Sequence, residues 1–89
     1  MDSVVIKKLA ISKDNSQMLF IVAEGVKDVT PACSENLNWS YVMPLVDETD
    51  KQMYSMLLAA RASQATVSLE GNSLCAVWGN VETLVYISY

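Results

Sequence analysis

Histidine is absent from this 89-residue chain. Its absence removes the commonest general base, the commonest zinc ligand and the usual partner of a serine or cysteine nucleophile. Cysteine is scarce: Cys33 and Cys75 stand far apart and match no metal-binding spacing. The three glycines, Gly25, Gly71 and Gly79, are isolated, so there is no glycine-rich phosphate loop. Basic residues number only six, scattered as Lys7, Lys8, Lys13, Lys27, Lys51 and Arg61, and the net charge is −4. A groove that tracks phosphates needs clustered positive charge, so neither nucleic acid nor an anionic membrane surface is an expected partner. The longest apolar run, Met18–Ala23, has six residues. A spanning helix needs about 20, so membrane insertion is not expected. The run is also too short for a signal-peptide core, and polar Asp2-Ser3 follows Met1 directly. The chain is therefore either cytosolic or a mature form whose leader has been removed.

What is present is apolar and large. Hydrophobic residues make up 52% of the chain and charged ones 18%, a globular balance. The length corresponds to one domain, residues 1–89, near the size at which a single core is only marginally sufficient. Val4–Ile11 is β-branched and reads as a strand, Asp14-Asn15-Ser16 as a turn, and Met18–Ala23 as a second strand. The second strand is apolar on both faces and must be covered on both, which one small domain struggles to do alone. Glu24–Asn36 reads as a loop, and Trp39–Met43 as a third strand stopped by Pro44.

One helix is predicted, from Glu48 to Ser63. Thr49 and Gln52 have capping-box spacing, with Asp47 an alternative cap, and acids crowd the positive end of the dipole. That placement explains the Asp47, Glu48 and Asp50 cluster better than acid–base chemistry does. No catalytic residue, cofactor or metal is expected, and the chain does not read as an enzyme. Met53, Leu57 and Ala60 form one helical stripe, Met56 widens it, and Tyr54 with Leu58 adds a flank. So wide an arc predicts burial on two sides, by the chain's own sheet and by a neighbouring subunit.

Ala65–Glu70 alternates as a fourth strand, Gly71-Asn72 turns, and Leu74–Trp78 with Val81–Tyr89 supplies the last strand or hairpin. The order is strand, strand, strand, helix, strand, strand. A mainly β chain with one helix between strands three and four has the order of an OB-fold, a five-stranded Greek-key barrel.

The segment Leu74-Cys75-Ala76-Val77-Trp78-Gly79-Asn80 is the most distinctive of the chain. Trp78 and Asn80 combine an apolar ring face with a planar hydrogen-bonding amide, a pairing suited to a sugar. The cysteines are compatible with one disulfide or with two buried thiols. A bond would close a loop of about 40 residues, stabilising by roughly 3–4 kcal/mol in the chain-entropy model.

The same segment, followed by Leu84-Val85-Tyr86-Ile87-Ser88, resembles the C-terminal end of the cholera toxin and heat-labile enterotoxin B subunits. Those proteins carry a Leu-Cys-Val-Trp-Asn-Asn run and then a strand ending Ile-Ser-Met. This chain has Ala76 as an extra residue and Gly79 in place of an amide. Val5-Ile6, Leu9 and Phe20, then Ala32-Cys33 with Trp39, and Leu57-Leu58 through Arg61 and Val67, resemble the subtilase cytotoxin and pertussis-like B subunits. The resemblance implies an OB-fold, a Cys33–Cys75 disulfide, export to the periplasm or medium, and a homopentamer whose helices line a pore. Met53, Tyr54, Met56, Leu57 and Ala60 would lie on that interface helix. It also implies binding of a cell-surface glycan, a ganglioside or sialylated chain, and carriage of a separate enzymatic A subunit. Trp78 and Asn80 carry over as sugar contacts, and Ser3 lies near the place of a pertussis-like sialic acid serine. The acidic, glutamine and histidine contacts of the cholera type have no counterpart.

Structural alternatives stand beside these roles. A tryptophan near a strand end serves as core or as a ligand platform, and Trp78 is open to both. Trp39 and Tyr41 read as core residues, and Tyr86 and Tyr89 fit either an interface or the barrel. Two rival functions also remain open: an exported OB-fold module that binds or inhibits a protein without any A subunit, and a nucleic-acid-binding OB-fold that the acidic balance disfavours.

Overall fold

A computed structural model of the chain describes residues 1–13, 17–25, 27, 30–36 and 38–89. The expected turn at Asp14-Asn15-Ser16 lies outside the described residues. Five strands and one helix follow in the order β1 (Val4–Ser12), β2 (Met18–Glu24), β3 (Tyr41–Pro44), α1 (Glu48–Ser63), β4 (Thr66–Gly71) and β5 (Leu84–Ser88). The sheet order is β3-β2-β1-β4-β5, antiparallel throughout. One parallel bridge, Val42 to Thr83, brings the first and last strands of that order together, with the Val42 N–H donating to the Glu82 carbonyl at 3.0 Å. The architecture is that of an OB-fold barrel left open along the β3–β5 seam, with α1 between the third and fourth strands.

A bulge in β1 sets which side chains face in. Ile6 pairs with Ala23 and Lys8 with Val22, so Lys7 is the extra residue. Ile6 and Leu9 both reach the core although their odd spacing would otherwise put them on opposite faces. Lys8 and Ala10 then face outward alongside Phe20 and Val22.

Strand β2 is covered on both faces within the chain. Leu19, Ile21 and Ala23 enter the main core with Tyr41, Met43, Leu57, Val67, Leu69 and Leu84. Phe20 points the other way, into a second cluster with Val42 and Val81 that Trp39, Trp78 and Val77 cover. The expected need for outside cover is thus met by the two tryptophans.

Several element boundaries differ from those expected. The third strand starts at Tyr41 and includes Pro44, whose missing N–H falls at the strand's last position. Leu74–Val77 is irregular, and isolated bridges alone, Trp78 to Val81 and Thr83 to Val42, precede β5. The extended form is lost there because Asn72 caps its own loop: its Oδ1 accepts from the Leu74 N–H at 3.0 Å, a local turn that competes with a ladder.

The helix spans the expected residues, but its cap is Asp47, not Thr49. The Asp47 Oδ1 accepts from the Asp50 N–H at 2.8 Å, and the Asp50 carboxylate accepts back from the Asp47 N–H at 3.3 Å. The reciprocal capping box therefore forms two residues earlier than the threonine–glutamine pair would place it, with a carboxylate at each position. Leu57 and Ala60 are fully buried, and Met53, Tyr54 and Met56 pack against the same core, while Leu58 is 45% exposed.

Candidate functional site

The loop from Gly71 to Asn80 is pinned from several directions. The Asn72 N–H donates to the Thr83 carbonyl at 3.1 Å and the Thr83 N–H to the Leu74 carbonyl at 2.9 Å. Cys75 is bonded to Cys33, with their Cα atoms 6.1 Å apart. This disulfide ties the loop to the β2–β3 connection. It is compatible with an extracellular or periplasmic protein.

Beyond the disulfide, Trp78, Gly79 and Asn80 make a tight turn in which the Val81 N–H donates to the Trp78 carbonyl at 3.1 Å. The Trp78 ring meets Phe20 edge-on, with centroids 5.4 Å apart and planes at 86°. Trp78 is partly buried. The Asn80 side chain is exposed. Gly79 has open space where a Cβ would sit.

Asn80 is fixed by Asn36. The Asn36 N–H donates to the Asn80 carbonyl at 3.0 Å, and the Asn36 Nδ2 donates to the Asn80 Oδ1 at 3.3 Å. The Asn36 Oδ1 in turn accepts from the Asn38 N–H at 2.7 Å. Next along the chain, the Trp39 ring packs on Phe20 at 5.3 Å, tilted by 46°. The Lys8 Nζ lies 5.1 Å from the Trp39 ring centroid. Ser40 anchors the start of β3, with the Ala23 N–H donating to its Oγ at 3.1 Å. Two tryptophans and two asparagines, from segments 44 positions apart at Asn36 and Asn80, therefore share one outer face.

Of the residues singled out from sequence, Trp78, Asn80, Cys33 and Cys75 are brought together here. Ser3 is exposed in a left-handed conformation, φ 54°, just ahead of β1. Among the described residues no hydrogen bond joins it to Trp78 or Asn80. Asn36 and Asn38 went unassigned in the sequence and Trp39 was read as core, although the three repeat the pairing of aromatic ring and amide that marks Trp78 and Asn80; Trp39 is partly buried, covering Phe20 from the outer face.

A second polar feature lies on the other side of the β5 lead-in. The Lys27 Nζ donates to the Glu82 Oε1 at 3.0 Å, with side chains only 10% and 5% exposed, and lies 4.1 Å from the Tyr41 ring centroid. The other carboxylate oxygen, Oε2, accepts from the Ser73 N–H at 3.1 Å. Gly71 is needed beneath it, because a Cβ there would collide with the Glu82 carboxylate. With both oxygens and the ammonium engaged, this cluster is a clasp between loops. The adjoining hollow, about 190 Å³, is smaller than ligand pockets of about 300–1,000 Å³.

Among the described residues no group of histidine, cysteine, aspartate and glutamate is placed to hold a metal ion, and no helix is long and apolar enough to cross a membrane. The fold and the shared outer face together define an OB-fold domain with an aromatic and amide surface. Comparison with known proteins finds no family model, no curated protein and no solved structure that matches the chain.

Proposed function

We propose that this chain is a non-catalytic glycan-binding subunit, exported and assembled as a ring like the B subunits of pentameric toxins, and able to carry an enzymatic partner. One observation supports the reading above the rest. The disulfide and the paired Asn36–Asn80 bonds pin an exposed asparagine two residues along a tight turn from a partly buried tryptophan. A sugar presents an apolar ring face and equatorial hydroxyls, and that pair of side chains meets both. Individual sites of this kind are weak, and several on one face of a ring gain strength by simultaneous engagement. Leu58 on α1, with Val85 and Tyr86 of β5, are among the exposed apolar residues that such a ring would cover.

The test is a glycan array probed with wild-type protein and with Trp78→Ala and Asn80→Ala. Both variants are expected to lose binding. Asn80 is exposed, so its truncation separates a lost contact from a lost fold. Unchanged binding by both variants sinks the site. Light scattering reads the assembly: a monomeric mass removes the multivalent mechanism and favours an exported protein-binding module.

A further inference from the structure

Beside Trp78 and Asn80, the same outer face carries a cleft of about 340 Å³, within the range of ligand pockets and nearly twice the hollow at Lys27 and Glu82. One wall is the Trp39 indole, held from two sides by Phe20 and Lys8 and therefore rigid. Thr30, Ser34, Asn36, Asn38 and Ser40 add hydroxyls and amides to the lining, and Val22, Ala23 and Gly25 complete it on the side of β2. Lys27 also reaches it, but its ammonium is engaged by Glu82. The cleft therefore offers an aromatic wall with a small aliphatic patch at Val22 and Ala23, several neutral hydrogen-bonding groups and no free cation among its described lining residues. That chemistry suits an uncharged polyhydroxylated ring, and it suits neither a phosphate nor an apolar peptide.

Asn36 joins this cleft to the Trp78–Asn80 turn. It lines the cleft, donates from Nδ2 to the Asn80 Oδ1, and accepts at Oδ1 from the Asn38 N–H. Its side chain is thus oriented by contacts on both sides, a shared wall between two neighbouring surfaces. We infer that the Trp39 cleft is a second sugar subsite, contiguous with the Trp78–Asn80 surface, so that the ligand is an oligosaccharide placing a neutral residue against Trp39. This rests on the glycan-binding reading above. Specificity then comes from chain length and branching as well as from the terminal sugar, because only an oligosaccharide spans both surfaces.

The experiment uses the oligosaccharide that binds tightest on the array and its own terminal monosaccharide as probes. Indole N–H resonances of the wild-type protein are followed by NMR during each titration. The oligosaccharide is expected to shift the Trp39 and Trp78 signals, and the monosaccharide the Trp78 signal alone. Asn38→Ala, an exposed change, and Trp39→Phe, which keeps an apolar cover on Phe20, are each expected to weaken oligosaccharide binding about tenfold, a loss of about 1.4 kcal/mol. Both should leave monosaccharide binding unchanged. An oligosaccharide that binds and shifts Trp78 but not Trp39, with both variants at wild-type affinity, overturns the second subsite and leaves the primary reading standing. Failure of every glycan on the array to bind overturns both.

Discussion

Asn36 and Asn80 hold each other twice, once through backbone and once through side chain, across 44 positions of sequence. The Asn36 carboxamide also receives the Asn38 N–H, so one side chain fixes the geometry of two loops. Asn36→Ala keeps the backbone bond and removes the other two. The expected cost is about 0.5–1.5 kcal/mol of stability per lost bond at most, since the group is accessible to water. The sharper signature is local: amide exchange at Asn38 should accelerate while exchange in β1 and β2 stays unchanged. Uniform acceleration would show that the two loops are held mainly by something else.

The disulfide carries more. Replacing Cys33 and Cys75 together with serine should lower the unfolding free energy by about 3–4 kcal/mol, read from urea denaturation with and without the bond. For a domain this small, such a loss is a large part of the total stability. Loss of less than about 1 kcal/mol would mean that the denatured chain already keeps these two loops together.

Lys27 and Glu82 form a pair in which one partner cannot be lost alone. Lys27→Met leaves the Glu82 carboxylate buried with only the Ser73 N–H beside it, and should cost about 3–5 kcal/mol. Adding Glu82→Gln to Lys27→Met should recover part of that loss, because the remaining group is neutral. A double variant no more stable than the single one would rule out buried charge as the cause. Gly71→Ala tests the same clasp sterically, and it too should destabilise because Glu82 is tied at both oxygens.

Much of the fold was legible from periodicity and breakers. The strand, strand, strand, helix, strand, strand order followed from alternating apolar residues, and the helix from its acidic start and its Met53, Leu57 and Ala60 stripe. The candidate site was half legible. Trp78 and Asn80 stand close in sequence, whereas Asn36, Asn38 and Trp39 acquire meaning only when β2 and β3 pair and Phe20 faces outward. The β1 bulge left no trace in composition, because the extra residue, Lys7, is as polar as its neighbour Lys8. The clasp was likewise hidden, since Lys27 and Glu82 are joined by topology across 55 positions.

The helix cap offers a simple discrimination between the two residues that compete for it. Asp47→Ala should cost about 1 kcal/mol, in the range for loss of an N-cap, and should increase fraying at the start of α1. Thr49→Ala should be close to neutral, since Thr49 is exposed. Circular dichroism during thermal unfolding of the two variants reads the difference. The reverse order would return the cap to Thr49.

The seam at Val42 and Thr83 has a kinetic meaning. Without the disulfide, the chain must bring those residues together around the whole intervening stretch, through α1 and β4, before a single bridge rewards it. With Cys33 and Cys75 already joined, the connecting path is the short one through the sulfurs. The oxidised chain therefore searches a much smaller space to draw its first and last sheet edges together. Lowering the effective contact order in this way makes oxidation early in folding a route to fast barrel assembly.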